Sequence, residues 1–155
     1  MLFLLFRIGG DRYALEARRV IEIVPMLEMK RMPRAPEGVA GVFNYRGMPV
    51  PAVDLSALTT GIPAAERLST RIIVVNYESP LGTLHPLGLI AEQATEILRR
   101  ESHHFTGAQT HGTGAAYLGP VLTDEKGSIQ WLYEERLLSE PVREMLFAPG
   151  APSGI

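Results

Sequence analysis

The stretch GVFNYRGMPVPAVDL, residues 41–55, decides the fold of this chain. An apolar run leads into the tetrapeptide Asn-Tyr-Arg-Gly at residues 44–47, and a second extended run follows it. Asparagine and glycine tolerate the positive φ angles of tight turns, so the pattern predicts a β-hairpin. Turn chemistry explains the asparagine and the glycine, but it does not explain Arg46 at the tip.

The second arm of this hairpin contains two prolines, Pro49 and Pro51, which fall on one face of the arm. A proline cannot donate a hydrogen bond to a sheet ladder, so prolines within strands are confined to edges and bulges. The sequence therefore predicts that this arm is an edge strand or carries a bulge.

The chain as a whole has the composition of one soluble domain. Its 155 residues can bury about two thirds of the surface that the unfolded chain exposes. It has no cysteine, which excludes disulfides, thiolate nucleophiles and cysteine-ligated zinc. The net charge of −2, from 15 basic and 17 acidic residues, provides no basic surface for nucleic acid or an anionic membrane.

The chain contains no apolar run near the roughly 20 residues of a membrane span. The apolar run at residues 1–6 lacks the basic flank and the cleavage site of a signal peptide. We therefore expect a cytoplasmic protein.

Short strands separated by turn residues fill most of the remaining chain. Residues 72–75 are four consecutive β-branched residues, which predict a core strand buried on both faces. Further strands are predicted in a first hairpin at 2–16, at 20–24, and in a closing hairpin at 115–132. About nine or ten short strands with regular turn signals are typical of all-β sandwiches and barrels.

Two segments are less clear from the residues alone. Residues 87–98 have apolar residues at helical spacing together with alanine, glutamate and glutamine, so the local pattern favours an amphipathic helix over a strand. Residues 133–147 predict a terminal helix, in which Pro141 must cause a kink or begin a second turn. Residues 148–155 form a tail rich in proline and glycine that we expect to be flexible.

The sequence offers few residues for catalysis. His103, His104 and His111 are close in sequence, but zinc sites need three or four ligands at spacings that this loop does not show. The pair Glu134 and Glu135 lies on the predicted terminal helix, where we expect both side chains to be solvated. The chain has no nucleophile elbow, phosphate loop or dinucleotide fingerprint. We therefore expect a binding module rather than an enzyme, with no catalytic residue, metal or cofactor.

The central hairpin resembles the motif of the CheW family, the adaptor proteins of bacterial chemotaxis-type signalling. That motif has Asn-Leu-Arg-Gly followed by a proline-containing apolar strand that ends in Asp-Leu, and Tyr45 stands where the family has leucine. Flanking segments match in order, including a Tyr-Ala-apolar strand at 13–15 and a Val-x-Glu-Ile element at 20–23. The resemblance spans roughly Phe3 to Leu138. The matching hairpin residues are Asn44, Arg46, Gly47, Pro51, Asp54 and Leu55.

The resemblance implies an all-β fold of two packed five-stranded SH3-like β-barrels with a short C-terminal helix. One barrel is expected from about residues 20–80, and the other from about 2–16 together with 85–138. It also implies that residues 87–98 form a strand and not a helix.

The resemblance further implies an adaptor that holds a CheA-type histidine kinase against the cytoplasmic tip of a methyl-accepting chemoreceptor. The kinase's regulatory domain would share the fold and meet the adaptor end to end, and a receptor helix hairpin would dock between the barrels. No contact with nucleic acid or directly with the membrane is implied. The protein would be recruited from the cytoplasm to membrane-associated receptor arrays. The partner-binding residues implied are Glu22, Asn44, Tyr45, Arg46 and Gly47.

Glu22 and Arg46 are each a charge within an apolar segment. Both could point outward from edge strands, as single charges often do. Alternatively, the two side chains pair with each other or face a partner.

A second function remains open, a small β-barrel of OB type that binds a ligand or nucleic acid. Tyr45, Tyr77 and Tyr117 would stack on bases and Arg46 would contact phosphate. The acidic pI of about 6.1 disfavours this function, because such grooves are normally basic.

Overall fold

The computed structural model describes residues 1–107 and 115–147, and these residues are mostly β-strand. The all-β prediction with a short C-terminal helix is confirmed. Three 3-10 turns, at Ala17–Arg19, Ser102–His104 and Glu134–Arg136, connect the longer elements. Those elements, in chain order, are β1 (Leu2–Ile8), β2 (Asp11–Glu16), β3 (Val20–Pro25), β4 (Val39–Tyr45), β5 (Met48–Asp54), α1 (Leu55–Thr60), β6 (Arg71–Glu78), β7 (Leu84–Arg99), β8 (Leu118–Asp124), β9 (Gly127–Leu132) and α2 (Glu140–Phe147).

The strands form two five-stranded sheets that share β7. The middle sheet has the order β3-β6-β7-β5-β4, and the terminal sheet has the order β7-β1-β2-β9-β8. Residues 84–91 of β7 pair with β6, whereas residues 92–99 pair with β1. Gln93 has a φ of 50° near the point where β7 passes from one sheet to the other. The strand predicted for residues 87–98 is therefore present, but it serves both sheets and not the second one alone.

Each sheet curves back towards its opposite edge. In the middle sheet, Lys30, which follows β3, forms a bridge with Val42 of β4. In the terminal sheet, Thr106, which follows β7, forms a bridge with Val121 of β8. Each sheet also contains one parallel pair, β5 with β7 and β2 with β9. This arrangement fits the two five-stranded barrels that the resemblance implies.

The core consists of three clusters of buried apolar side chains. The largest takes residues from both sheets and therefore fills the layer between them, and each of the other two lies within one sheet. Strand β6 shows the division, because Ile72 and Val74 face the middle sheet's own interior while Ile73 and Val75 face the shared layer. All four side chains are fully buried, so the strand predicted to be buried on both faces is confirmed.

The central hairpin is formed by β4 and β5, with Tyr45 paired to Met48. The predicted edge is found only in the half of β5 that contains the two prolines, because β5 pairs with β4 on one side and, towards its end, with β7 on the other. Its pairing with β7 covers only residues 52–54, so Pro49 lies in the half that pairs with β4 alone. The β4–β5 ladder also has a register shift next to Gly41. A side chain at that glycine would collide with the backbone carbonyl of Lys30.

The end of β5 is fixed by Asp54, whose carboxylate caps α1. Its Oδ1 accepts hydrogen bonds from the backbone N–H groups of Ser56 and Ala57, at 3.0 and 3.1 Å. Its Oδ2 accepts a third, at 3.0 Å, from the N–H of Ala64 in the following loop. A capping carboxylate satisfies helix N–H groups that have no partner within the helix. Helix α1 ends at Gly61, which has a φ of 80°.

The predicted terminal helix is divided into two parts. A 3-10 turn at Glu134–Arg136 comes first, and α2 follows with Pro141 in its first turn. Proline is tolerated there because the N–H groups of a first turn have no acceptor within the helix. The prediction that Glu134 is solvated is wrong. The turn packs against β6, and the side chain of Glu134 is buried.

Candidate partner-binding site

The tip of the central hairpin is a two-residue turn, Arg46-Gly47. Both residues have positive φ angles, 53° and 82°, as a type I′ turn requires. The Oδ1 atom of Asn44 accepts a hydrogen bond of 2.8 Å from the N–H of Gly47 and so stabilises the turn. A positive φ is uncommon for a residue other than glycine, so the turn holds Arg46 in a restricted orientation.

Glu22 of β3 joins this hairpin through two hydrogen bonds to a single oxygen atom. Its Oε1 accepts one bond of 2.7 Å from the hydroxyl of Tyr45 and one of 2.6 Å from Nη2 of Arg46. The guanidinium of Arg46 also lies 5.4 Å from the centroid of the Tyr45 ring. We call Glu22, Tyr45 and Arg46 the Glu22 cluster. Because β3 and β4 are the two edges of the middle sheet, the cluster connects these edges through side chains.

The hydrogen bonds of the cluster also determine its charges. The bond from Tyr45 is the main reason that the pKa of Glu22 is lowered, and the bond from Arg46 lowers it further. The same bond to Glu22 raises the pKa of the Tyr45 hydroxyl. At neutral pH the cluster therefore consists of a carboxylate, a neutral phenol and a guanidinium.

Burial in the cluster decreases in order from Tyr45 to Arg46. Tyr45 is only 8% exposed and belongs to the core of the middle sheet. The side chain of Glu22 is 37% exposed and that of Arg46 is 73% exposed. Of the two alternatives for these charges, the structure shows the pair. It leaves most of the arginine accessible, so a partner can contact the guanidinium while the buried tyrosine holds its counterion in place.

Exposed apolar side chains lie at the same end of the middle sheet. Strands β5 and β7 are parallel, so Met48 at the start of β5 and Leu84 at the start of β7 lie at the same end of the sheet. These two side chains are 46% and 57% exposed. Leu81, in the turn between β6 and β7, is almost fully exposed. Apolar contact area beside a charged side chain is a common composition of protein interfaces.

The predicted partner-binding residues thus lie together at one end of the middle sheet. Sequence reasoning missed Met48 and Leu84, which are 36 positions apart and are brought to the same end of the sheet by the parallel β5–β7 pairing. The signal that could have found them was that each is a large apolar residue immediately after a turn.

The tyrosines expected for stacking on nucleic acid are not available at the surface. Tyr77 is fully buried, and Tyr45 and Tyr117 are also buried. The hydroxyl of Tyr117 lies 3.0 Å from that of Thr59, inside the fold. Of the four residues proposed for this function, only Arg46 is exposed, so the OB-type function lacks its stacking surface.

Within residues 1–107 and 115–147, no three histidine, aspartate or glutamate side chains come together as they would to hold a metal ion. His103 and His104 are exposed in the 3-10 turn after β7, and Nδ1 of His104 accepts a hydrogen bond from the N–H of Glu101. His111 and the predicted tail lie outside the described residues. No helix in the described part of the chain is long and apolar enough to cross a membrane.

Comparison with known proteins agrees with this geometry. The family model described as CheW-like domain matches residues 2–142, nearly the whole chain. The chain belongs to the CheW-like domain family. The match includes β3, the central hairpin and both sheets, and so contains every residue of the Glu22 cluster.

Several chemotaxis proteins are similar in sequence to this CheW-like chain. The chemotaxis protein CheW of Helicobacter pylori is 33% identical over 98 residues, which are 63% of this chain and 56% of that protein. The protein of the same name from Rhizobium meliloti is 33% identical over 93 residues, 60% of this chain and 57% of its own length. The aligned region thus spans just over half the length of these relatives.

The fold is also that of a solved CheW structure. The scaffolding protein TtCheW from Thermoanaerobacter tengcongensis superimposes with a TM-score of 0.80, and the match covers 94% of this chain and 92% of that one. The two sequences are 22% identical, so this likeness establishes the shared fold.

Proposed function

We propose that this CheW-like protein is a cytoplasmic adaptor that couples a methyl-accepting chemoreceptor to a CheA-type histidine kinase. The observation that carries the proposal is the family match over residues 2–142, which includes the hairpin motif with its exposed arginine. Relatives named as chemotaxis proteins and a structural neighbour named as a scaffolding protein support it. The adaptor would act by binding, with no reaction of its own, and would be recruited to membrane-associated receptor arrays.

The Glu22 cluster is suited to such a contact because its geometry is set before a partner arrives. The turn limits the backbone of Arg46, and the shared carboxylate oxygen of Glu22 orients its guanidinium. Ordering a long side chain on binding reduces affinity, and an orientation that already exists in the free protein avoids part of that loss. Met48 and Leu84, exposed at the same end of the sheet, would contribute apolar area to the same contact.

The test is receptor-coupled kinase phosphorylation in a reconstituted mixture, with thermal unfolding measured in parallel. We expect Arg46→Ala to leave the melting temperature nearly unchanged and to weaken partner binding by roughly 30-fold, or about 2 kcal/mol, as for an interface hot spot. Arg46→Glu should be more damaging, because it places a second negative charge beside Glu22. The matched control is Arg67→Glu, which reverses an exposed charge in the loop before β6 and should have no effect.

A charge exchange shows whether pairing with Glu22 contributes to function. In the double variant Glu22→Arg with Arg46→Glu, the ion pair is reversed, so part of the coupling should return if orientation within the cluster is what matters. Full kinase coupling by Arg46→Glu at unchanged stability would contradict the proposal that the partner contacts this end of the middle sheet.

A further inference from the structure

A buried carboxylate lies where the chain crosses from the terminal sheet to the middle sheet. The crossing is the 3-10 turn Ala17–Arg19, between β2 and β3. Nε of Arg19 lies 3.2 Å from Oε1 of Glu134, which is only 2% exposed. Nη1 of the same arginine lies 3.9 Å from a carboxylate oxygen of Glu78 at the end of β6. Arg19 therefore lies between two carboxylates and is shared by Glu134 and Glu78.

The polar groups around Glu134 are incompletely satisfied. Among the described residues, Oε1 of Glu134 and the hydroxyl of Tyr77 are buried without a hydrogen-bond partner of good geometry. Burying an ionised carboxylate without full pairing is costly, and protonation removes that cost. Burial accordingly raises the pKa of Glu134 to about 8, the neighbouring Glu135 acts in the same direction, and Arg19 opposes both.

Charged and titratable groups from all the surrounding elements act on this site. Those facing Glu134 or Tyr77 are Arg18 and Arg19 of the crossing turn, Glu78 of β6, Glu135 of the same 3-10 turn, and Arg143 of α2. The site therefore connects the crossing turn, β6 and the C-terminal segment, residues 134–147.

The outer end of the C-terminal segment, helix α2, is less buried than the part next to the 3-10 turn. No residue of α2 is buried. Val142, Leu146 and Phe147 of this helix pack against the main core, and the ring of Phe147 stacks between His85 and Tyr77 with centroids 4.3 and 5.6 Å away. Arg143 also donates a hydrogen bond of 2.8 Å to the carbonyl of Leu138. Leu137 and Leu138, directly after the 3-10 turn, are buried in the main core, so the seating of this segment depends strongly on residues 134–138, which include Glu134.

We propose that protonation of Glu134 controls how firmly the C-terminal segment stays packed on the two sheets. While the carboxyl group holds its proton, it is neutral and the 3-10 turn stays seated between the sheets. When the proton leaves, a poorly paired negative charge is buried, and residues 134–147 open more often. The site around Glu134 is separate from the Glu22 cluster, and the proposal does not depend on the adaptor function.

The direction of the pH effect follows from the two states of the chain. The pKa of Glu134 is about 8 when the segment is seated, compared with an ordinary value of 4.5 when the side chain is solvated. The seated state therefore binds the proton more tightly, and its stabilisation is complete below about pH 4.5. As pH rises towards 8, the equilibrium constant for opening increases by up to about tenfold per pH unit. Above pH 8 it becomes constant.

The test is hydrogen exchange of the full chain, followed by mass spectrometry between pH 5.5 and 9.5 and corrected for the intrinsic pH dependence of exchange. The corrected opening equilibrium of residues 134–147 should rise by up to about tenfold per pH unit and level off near pH 8. In Glu134→Gln this rise should be absent. The matched control, Glu144→Gln, changes an exposed carboxylate of the same segment and should keep the rise.

Arg19→Gln provides a second measurement that does not require the Glu134 variant to fold. Because Arg19 favours the ionised carboxylate, its removal should move the midpoint of the rise to higher pH. A wild-type segment whose corrected exchange is constant from pH 5.5 to 9.5 would overturn the proposal. The same pH dependence in Glu134→Gln, or an unchanged midpoint in Arg19→Gln, would overturn it as well.

Discussion

Replacing Gly88 by alanine should destabilise the protein through a collision in the core of the middle sheet. A Cβ atom at this position would lie 2.5 Å from Cε1 of Phe43 and 2.9 Å from Cγ2 of Ile72. Both neighbours are buried and cannot turn towards solvent. Overpacking of this kind costs about 1 to 3 kcal/mol. For a chain of this size, such a loss lowers the melting temperature by about 2 to 12 °C.

The Gly88→Ala substitution should also disturb the candidate partner-binding site. The ring of Phe43 lies 6.3 Å from that of Tyr45, whose hydroxyl holds Glu22. A displaced Phe43 therefore shifts the tyrosine, and partner binding should weaken along with stability. Urea unfolding measures the stability, and a pull-down with the kinase regulatory domain measures the binding.

Gly119→Ala is the matched control for this substitution. A Cβ atom there would lie 2.5 Å from Cε2 of Tyr133, but that ring is only half-buried and can rotate away. The loss of stability should therefore be smaller than for Gly88→Ala. Wild-type stability in the Gly88 variant, or a larger loss in the Gly119 variant, would refute the packing argument.

Substitutions at three further positions test other contacts. Tyr45→Phe removes the main hydrogen bond to Glu22, so the pKa of that carboxyl group should rise towards its ordinary value, as measured by NMR titration. The bonds from Arg12 hold the pKa of Asp124 at about 2, below its ordinary 3.8, so this pair stabilises the fold above about pH 4. That contribution should disappear as pH falls towards 2, and Arg12→Gln should make acid unfolding begin at higher pH. Asp54→Ala removes a cap that accepts three hydrogen bonds and should cost at least about 1 kcal/mol in urea unfolding, whereas Asp54→Asn should cost less.

The central hairpin was predictable from its residues because turn geometry is local. Gly47 has the positive φ expected of it, but the other positive φ of the turn falls on Arg46, and Asn44 instead stabilises the turn by accepting a hydrogen bond from the N–H of Gly47. The β-branched run in β6 was predictable for a similar reason, since its residues suit an extended strand that is covered on both faces. The motif within this hairpin also carried the family resemblance.

Strand β7 is the element whose structure the local residue pattern does not predict. Its residues favour a helix slightly, yet residues 84–91 pair with β6 and residues 92–99 pair with β1. Hydrogen bonds to partners in two different sheets outweigh a propensity difference of a few tenths of a kcal/mol per residue. Only the resemblance, and not the residue pattern, predicted a strand here, and neither predicted that the strand belongs to both sheets.

The sequence by itself determined the turns, most of the strands and the identity of the charged residues at the hairpin. Tertiary structure alone decided which groups those charges meet. Glu22 and Arg46 are 24 positions apart, and Arg19 and Glu134 are more than 100 apart, so no local pattern relates them. Glu134 was predicted to be solvated, but the 3-10 turn that ends the terminal sheet packs against β6 and buries it. Propensity and turn chemistry act over a few residues, whereas burial and pairing of a charge depend on whichever elements the fold brings beside it.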